Sequence, residues 1–270
     1  MPYEKKISRA EPGLVVMLLD DSGSMADNLP GTSDRKYLWN ERYFGYVAKE
    51  LLSRSTEMSG DQIRVKPRYF MTIYIYGSVP QLWKGEAMDI QSCVEAYTQA
   101  GNSLGLGGKL GGTDAAAALQ KAYEHLQTAV NDKRFADSSP PVALHLTDGM
   151  SHTDPQPVAA KLKQLSTTDG NVLVANGYIG TETSLNYRTP EDFPGYVDAS
   201  EAGPSEDNLC LFEMSSPVPE SMRANLVEDG IFPRLREGSR LFFDVRTKAM
   251  LKHVFAVVGS LGSRADRLAK

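Results

Sequence analysis

The sequence is poor in the residues from which zinc and redox sites are built. Two cysteines, Cys93 and Cys210, occur in 270 residues. They lie far apart and lack C-x-x-C spacing, so neither a zinc site nor a redox pair is indicated, and both read as free, buried thiols. No apolar run approaches the ~20 residues needed to span a bilayer. The opening "MPYEKKISRAEPG" carries charge without the apolar segment of a signal peptide, so the expectation is a soluble, cytoplasmic chain. Basic residues are in deficit, 29 Lys and Arg against 34 Asp and Glu, for a net charge of -5. Nucleic acid and anionic membrane surfaces require a clustered basic face, so they are excluded as general partners; a protein or a small cation fits better. There is no solenoid-length repeat and no low-complexity tract. Nothing in the sequence bears on oligomeric state.

What is present is alternation. At 41% hydrophobic and this length, one domain with surface insertions is expected. "LVVMLLD" (14–20) is apolar up to its last residue, as a central parallel strand covered on both faces must be. Trp39, Tyr43, Val47 and Leu51, with Phe44 and Leu52, have helical spacing. "RYFMTIYIYG" (68–77) predicts a strand, and "VPQLWKG" (79–85) follows too closely for a crossover, which predicts an antiparallel edge strand. "MDIQSCVEAYTQA" reads as a weak helix. "AAAALQKAYEHLQTAV" is strongly helical, with Leu119, Ala122, Tyr123, Leu126 and Val130 on one face. Further strands are predicted at 141–149, 171–179 and 208–214, and helices at 157–165, 219–229 and 248–261, the last with Leu251, Val254, Phe255 and Val258 inward. Strands alternating with helices specify a doubly wound α/β sheet. Residues 181–208 are acidic and punctuated by Pro and Gly, and predict a long surface loop.

In a doubly wound sheet, ligands sit beyond the carboxyl ends of the strands where strand order reverses. Three oxygen-rich turns stand at such places: Asp20, Ser22 and Ser24 in "DDSGS", Thr113 in "GGTD", and Asp148 in "LTDG". Each has an ordinary local explanation. The first is a plausible turn, Thr113 a plausible N-cap of the helix behind it, and Asp148-Gly149 a common turn dipeptide. If the three meet, carboxylate and hydroxyl oxygens make a site for magnesium, manganese or calcium rather than zinc. Two ionised aspartates beside three neutral alcohols would balance a divalent ion and leave it able to accept another anion, such as a partner's carboxylate.

Those three segments, in that order and topology, resemble the metal-ion-dependent adhesion site of the von Willebrand factor A domain family. The resemblance runs from about residue 12 to about residue 262 and includes all five motif positions. It implies a six-stranded, mostly parallel sheet wrapped by helices, with a divalent cation, usually magnesium, at its top. It further implies that Ser22, Ser24 and Thr113 bind the metal directly, and that Asp20 and Asp148 act directly or through water. The chain is also similar to stand-alone bacterial A-domain proteins of the tellurium-resistance-associated type, which are linked to kinase and phosphatase partners. Residues 26–34, 181–208 and 231–245 depart from a minimal A domain and read as insertions.

Enzyme readings find weaker support. "DDSGS" has Ser22 where a D-x-D phosphotransferase carries its second aspartate. "LGLGGKLGG" lacks the first glycine and the final Ser/Thr of a phosphate loop. The G-x-S-x-G elbow of a hydrolase is absent around Ser22. His152 reads as a loop residue, and His125, His145 and His253 as structural. The expectation is a non-enzymatic, cation-dependent protein-interaction module that engages an Asp or Glu of a partner. The alternatives are a metal-dependent hydrolase or phosphotransferase, and a metal-independent scaffold that binds through its insertions.

Overall fold

The computed structural model describes residues 3–29, 31–59, 62–149, 151–180 and 183–260. The apolar run forms strand Gly13–Asp20 (β1), buried along its whole length. A single 3-10 turn at Gly23–Ala26 leads by a loop into helix Lys36–Arg54 (α1), which buries Trp39, Tyr43, Phe44, Val47 and Leu51 of the expected stripe and leaves Leu52 partly exposed. Strands Thr56–Ser59 (β2) and Gln62–Val65 (β3) form an unanticipated antiparallel hairpin. Its opposed Met58 and Ile63 are about 70% exposed, so no burial pattern marks it. Strand Tyr69–Tyr76 (β4) pairs parallel with β1, and Gln81–Leu82 (β5) folds back antiparallel on β4 as its short connection required. Met88–Asp89 (β6) also pairs antiparallel with β4. Asp89 then caps helix Ile90–Gln99 (α2) by accepting the N–H groups of Gln91 and Ser92.

After the glycine-rich stretch come helix Ala115–Ala129 (α3), strand Val142–Thr147 (β7), helix Gln156–Leu162 (α4), a small hairpin of Ser166–Thr167 (β8) with Gly170–Asn171 (β9), and strand Leu173–Tyr178 (β10). Helices Glu206–Met214 (α5) and Glu220–Glu228 (α6), strand Phe242–Asp244 (β11) and helix Lys248–Ser260 (α7) complete the order. Among the described residues the main sheet runs β11-β10-β7-β1-β4-β5, with β6 also beside β4. The five strands from β11 to β4 are mutually parallel. The architecture is the doubly wound α/β sheet expected from the alternation, with seven strands rather than six because β6 adds a second short antiparallel piece. No helix of the described residues is long and apolar enough to cross a membrane.

Two expectations are corrected. Residues 208–214 form most of helix α5, not a strand: Glu206 and Asp207 occupy its first turn, and the buried positions Asn208, Leu211 and Phe212 follow helical spacing. The parallel strand expected there comes instead from 231–245, read as an insertion, whose "FFD" forms β11 beside β10. In α7 Leu251 and Val254 are buried as expected; the side chains of Phe255 and Val258 lie outside the described residues.

The acidic segment 181–208, apart from its two undescribed first residues, is anchored rather than free. Phe193 is fully buried, with ring centroids 5.1 Å from Tyr187, 5.2 Å from Phe232 and 5.9 Å from Phe243. Arg236 holds Glu201 at 2.7 Å on the surface above. The cluster fastens the segment to β11 and the loop before it. Phe193→Ala is therefore expected to cost about 3–5 kcal/mol in urea unfolding, whereas Met58→Ser on the exposed hairpin should stay within about 0.5 kcal/mol of the parent.

Candidate metal centre

The chain runs from β1 outward to β4 and then returns to place β7 on the other side of β1, so strand order reverses between β1 and β7. Asp20 ends β1, Thr147 ends β7 and Asp148 follows it. All stand at the carboxyl edge of that crevice, where side chains of neighbouring loops converge.

Asp20 has no exposed surface. Its Oδ1 accepts the Ser22 N–H at 2.8 Å and its Oδ2 accepts the Thr147 hydroxyl at 2.6 Å. The Ser22 bond is an Asx turn, so the turn reading of "DDSGS" holds locally. It also turns the chain so that the Ser22 and Ser24 hydroxyls lie 3.3 Å apart. Buried Met25 anchors the short helical turn that carries Ser24.

The second loop is tied to the first through its backbone. Gly23 N–H donates to the Gly111 carbonyl at 2.8 Å and Leu110 N–H to the Asp21 carbonyl at 3.0 Å. Asp21 Oδ1 accepts the N–H groups of Gly107 at 2.7 Å and Gly108 at 2.6 Å. Glycine is required at 108, where φ is +63° and a Cβ would stand 2.4 Å from the Ala26 nitrogen. Thr113 is buried, and its carbonyl accepts His152 N–H at 2.9 Å, which joins the second loop to the third. The cap of α3 is Asp114, whose Oδ1 accepts Ala117 N–H at 2.9 Å. Thr113 is thus not the N-cap.

Asp148 is buried, and Lys36 Nζ lies 3.0 Å from its Oδ2. Its Oδ1 is buried without a hydrogen-bond partner. Asn40, one turn along α1 from Lys36, donates to the Asp20 carbonyl at 2.8 Å. The structure therefore gathers all three predicted loops at one edge of the sheet. It adds Lys36, Asn40, Thr147 and Asp21, which the sequence reading did not single out. Thr147 and Asp21 were within reach as motif neighbours. Lys36 and Asn40 carry no local signal, because their partners lie 112 and 20 residues away.

The donor set suits a hard divalent cation. Burial raises the Asp20 carboxyl from its ordinary 3.8 to about 6; hydrogen bonds from Ser22 and Thr147 oppose the rise, and the Asp148 charge adds to it. A buried acceptor left unpaired, as Asp148 Oδ1 is, costs about 1–3 kcal/mol. A cation answers both deficits with oxygen ligands of the right hardness. Among the described residues no three His, Cys, Asp or Glu side chains converge as a metal cluster, so alcohol oxygens are needed to complete any site here.

Beneath the site Tyr76 OH donates to His145 Nε2 at 2.6 Å, and His145 Nδ1–H donates to Asn176 Oδ1 at 2.9 Å. Asn176 Nδ2 in turn donates to Ser215 Oγ at 2.9 Å, which sets its amide orientation. Burial lowers the His145 pKa to about 4, against the Asn176 hydrogen bond, so the ring is neutral. A cavity of about 310 Å³ opens beside the site, lined in part by Thr147, His152, Asp154, Glu206, Asp207 and Cys210.

The charge state of Asp20 makes a pH signature. With its folded pKa above its unfolded value, the folded state binds more protons between about pH 4 and 6, so Asp20 lowers stability as pH rises through that window. His145, depressed from 6.5 to about 4, acts oppositely over nearly the same range, so the difference between variants isolates Asp20. In chelator, the stability advantage of Asp20→Asn over the parent is expected to grow by about 2–3 kcal/mol from pH 4 to pH 6. A difference independent of pH in urea unfolding would contradict this.

No family model matches the chain, and no curated protein does. Solved structures do. Proximal thread matrix protein 1 from the mussel byssus is similar over 96% of this chain and 49% of its own, at 14% identity and a TM-score of 0.51. The chain thus spans about half the length of the mussel protein. The same protein with a zinc-occupied MIDAS motif, the metal-ion-dependent adhesion site, aligns at 13% identity, over 96% of this chain and 49% of its own, with a TM-score of 0.50. BatB, a conserved hypothetical protein from Bacteroides thetaiotaomicron, is similar over 93% of this chain and 98% of its own, at 12% identity and a TM-score of 0.50. What this chain shares with them is the fold, the Rossmann-like sheet of von Willebrand factor A domains.

Proposed function

We propose that the chain is a divalent-cation-dependent protein-interaction module whose site engages an Asp or Glu side chain of a partner protein. The observation that carries this reading is the pair of buried carboxylates at the crevice of the sheet: Asp148, whose Oδ1 lacks a hydrogen-bond partner, and Asp20, which turns the chain so that the Ser22 and Ser24 hydroxyls lie 3.3 Å apart. Ser22, Ser24 and Thr113 would hold the ion, with Asp20 and Asp148 holding it directly or through water. Magnesium is the proposed ion, with manganese or calcium as substitutes; the zinc-occupied motif of the mussel protein supports a divalent ion in general. Bound there, such an ion offers a coordination position that a carboxylate from outside can fill. The protein's own groups orient the site: Thr147 and the Ser22 amide fix the Asp20 carboxylate, Asn40 fixes the end of β1, and Asp21 holds the glycine loop that brings in Thr113. We place it in a cytoplasmic bacterial stress response of the tellurium-resistance type, on the strength of the sequence resemblance.

A non-enzymatic role is supported by the chemistry of the neighbouring groups. His145 is neutral, with both ring nitrogens engaged by Tyr76 and Asn176, so it has no lone pair for substrate. The Cys210 thiol is raised by burial, away from the thiolate form. The amides of the glycine loop, the remaining phosphate-binding candidate, are taken by Asp21 and by Glu41, which accepts the N–H groups of Leu104 and Leu106. The alternative is a metal-independent scaffold that binds through its insertions at 26–34, 181–208 and 231–245.

Affinity capture from native lysate separates the readings. With magnesium, the parent should retain a partner that is lost in chelator, and Asp20→Ala should lose both the ion and the partner while keeping its circular dichroism. Equal capture in both buffers defeats the cation-dependent reading and favours the scaffold. In a separate screen of phosphate esters and peptides, no turnover should depend on Asp148; a rate abolished by Asp148→Ala would make the protein an enzyme.

A further inference from the structure

Lys36 stands at the mouth of the proposed site, with its Nζ 3.0 Å from Asp148 Oδ2; the Lys36 side chain is 17% exposed and that of Asp148 2%. Its place in the fold is costly by local criteria. It is the first residue of α1, a helix with no acidic residue in its first turn. An ammonium there faces the positive end of the helix dipole, where an anion is the favoured occupant. Helix energetics therefore do not account for the position.

The loop before α1 does. Lys36 N–H donates to the Asp27 carbonyl at 3.0 Å, and Leu29 N–H to the Asp34 carbonyl at 2.9 Å. The Arg35 guanidinium reaches the Ala26 carbonyl at 2.8 Å, and Arg42 pairs with Asp34 at 2.5 Å. Buried Leu29 pins the loop to the core. The described residues of this loop, 26–29 and 31–34, are thus a brace that leaves the turn carrying Ser24 and delivers Lys36 to Asp148.

Resting on the reading of this place as a divalent-cation site, we propose that Lys36 is a resident counter-cation that sets the affinity of the site. Lys36 pairs with Asp148 and is displaced when a divalent ion takes that carboxylate. The chain itself brings two carboxylates, Asp20 and Asp148, and the Lys36 ammonium together here, so each ion that enters breaks the Lys36–Asp148 pair and meets the ammonium at short range. A monovalent ion brings no more charge than the lysine it replaces, whereas a divalent ion does. The lysine therefore raises the threshold concentration for loading and selects for charge.

Titration calorimetry with manganese chloride on the full chain tests this. Lys36→Met is expected to bind manganese at least about tenfold more tightly than the parent, a gain of about 1.4 kcal/mol, while Lys36→Arg stays near the parent. Equal or weaker binding by a folded Lys36→Met overturns the proposal and leaves the site itself standing. Absence of binding in both the parent and Lys36→Met removes the cation site and this proposal with it. Should Lys36→Met fail to fold, acetic anhydride labelling of the parent, read by peptide mass spectrometry, decides. Lys36 labelling should rise several-fold at a manganese concentration that calorimetry shows to be saturating, and unchanged labelling there overturns the proposal.

Discussion

A carboxylate with no exposed surface ends the central strand, and the arrangement around the crevice follows from having to keep it there. An ionised carboxylate removed from water costs several kcal/mol unless donors or cations surround it. Asp20 is met by one backbone N–H and one hydroxyl. These come from different segments, so Asp20 fixes the end of β1 to the end of β7. Asn40 holds the Asp20 carbonyl from α1, which leaves the strand end bound on its helix side as well. The second loop must approach this knot at backbone distance, and only a glycine-rich chain does so; Gly108 lies against Ala26 where no side chain fits.

Much of this was legible in the sequence wherever one segment determines its own environment. The unbroken apolar run of β1, the stripes of α1 and α3 and the short reach from β4 to β5 carry their periods or lengths openly, and each formed as read except that Leu52 and Tyr123 are only partly buried and Val130 follows the end of α3. Local reading failed where partners decide. "NLCLFEM" is apolar enough for a strand, but its acidic first turn and helical burial spacing make α5. The last parallel strand is only Phe242–Asp244, too short to announce itself among Arg, Glu and Gly. The acidic stretch 181–208 looked like a solvated loop because its charges outnumber its anchors. Phe193, packed among four aromatic rings, holds it down together with the Tyr187 and Thr183 hydroxyls on Asp244.

The candidate site divides in the same way. Asp20, Ser22, Ser24, Thr113 and Asp148 were visible because each stands in a small-residue turn at the edge of a strand or helix. The residues that set their charge balance were not visible. The Lys36–Asp148 pair spans 112 residues, and nothing near either residue indicates the other. Thr113 could be told from a helix cap only in three dimensions, where Asp114 performs the capping.

The other buried or half-buried carboxylates of the protein supply the comparison that gives the site its meaning. Glu41 accepts the Leu104 and Leu106 N–H groups and the Ser103 hydroxyl. Asp21 accepts two glycine N–H groups. Asp244, with no exposed surface, is held by the Tyr187 and Thr183 hydroxyls and the Arg246 guanidinium. Each is supplied with donors by the segment packed against it, as buried anions must be. Among the described residues, Asp148 Oδ1 is the carboxylate oxygen left buried without a partner, and it lies at the edge of the sheet where Asp20 is also buried. Glu41 and Asp244 have both oxygens satisfied by the chain's own backbone and side chains, and Asp148 does not. Its deficit lies at the edge of the sheet where the three loops are tied together, the place a cation would fill under the proposed function. The Lys36 ammonium delivered there pairs with Asp148 at 3.0 Å, and Asp20 is held by hydrogen bonds alone, from Ser22 and Thr147.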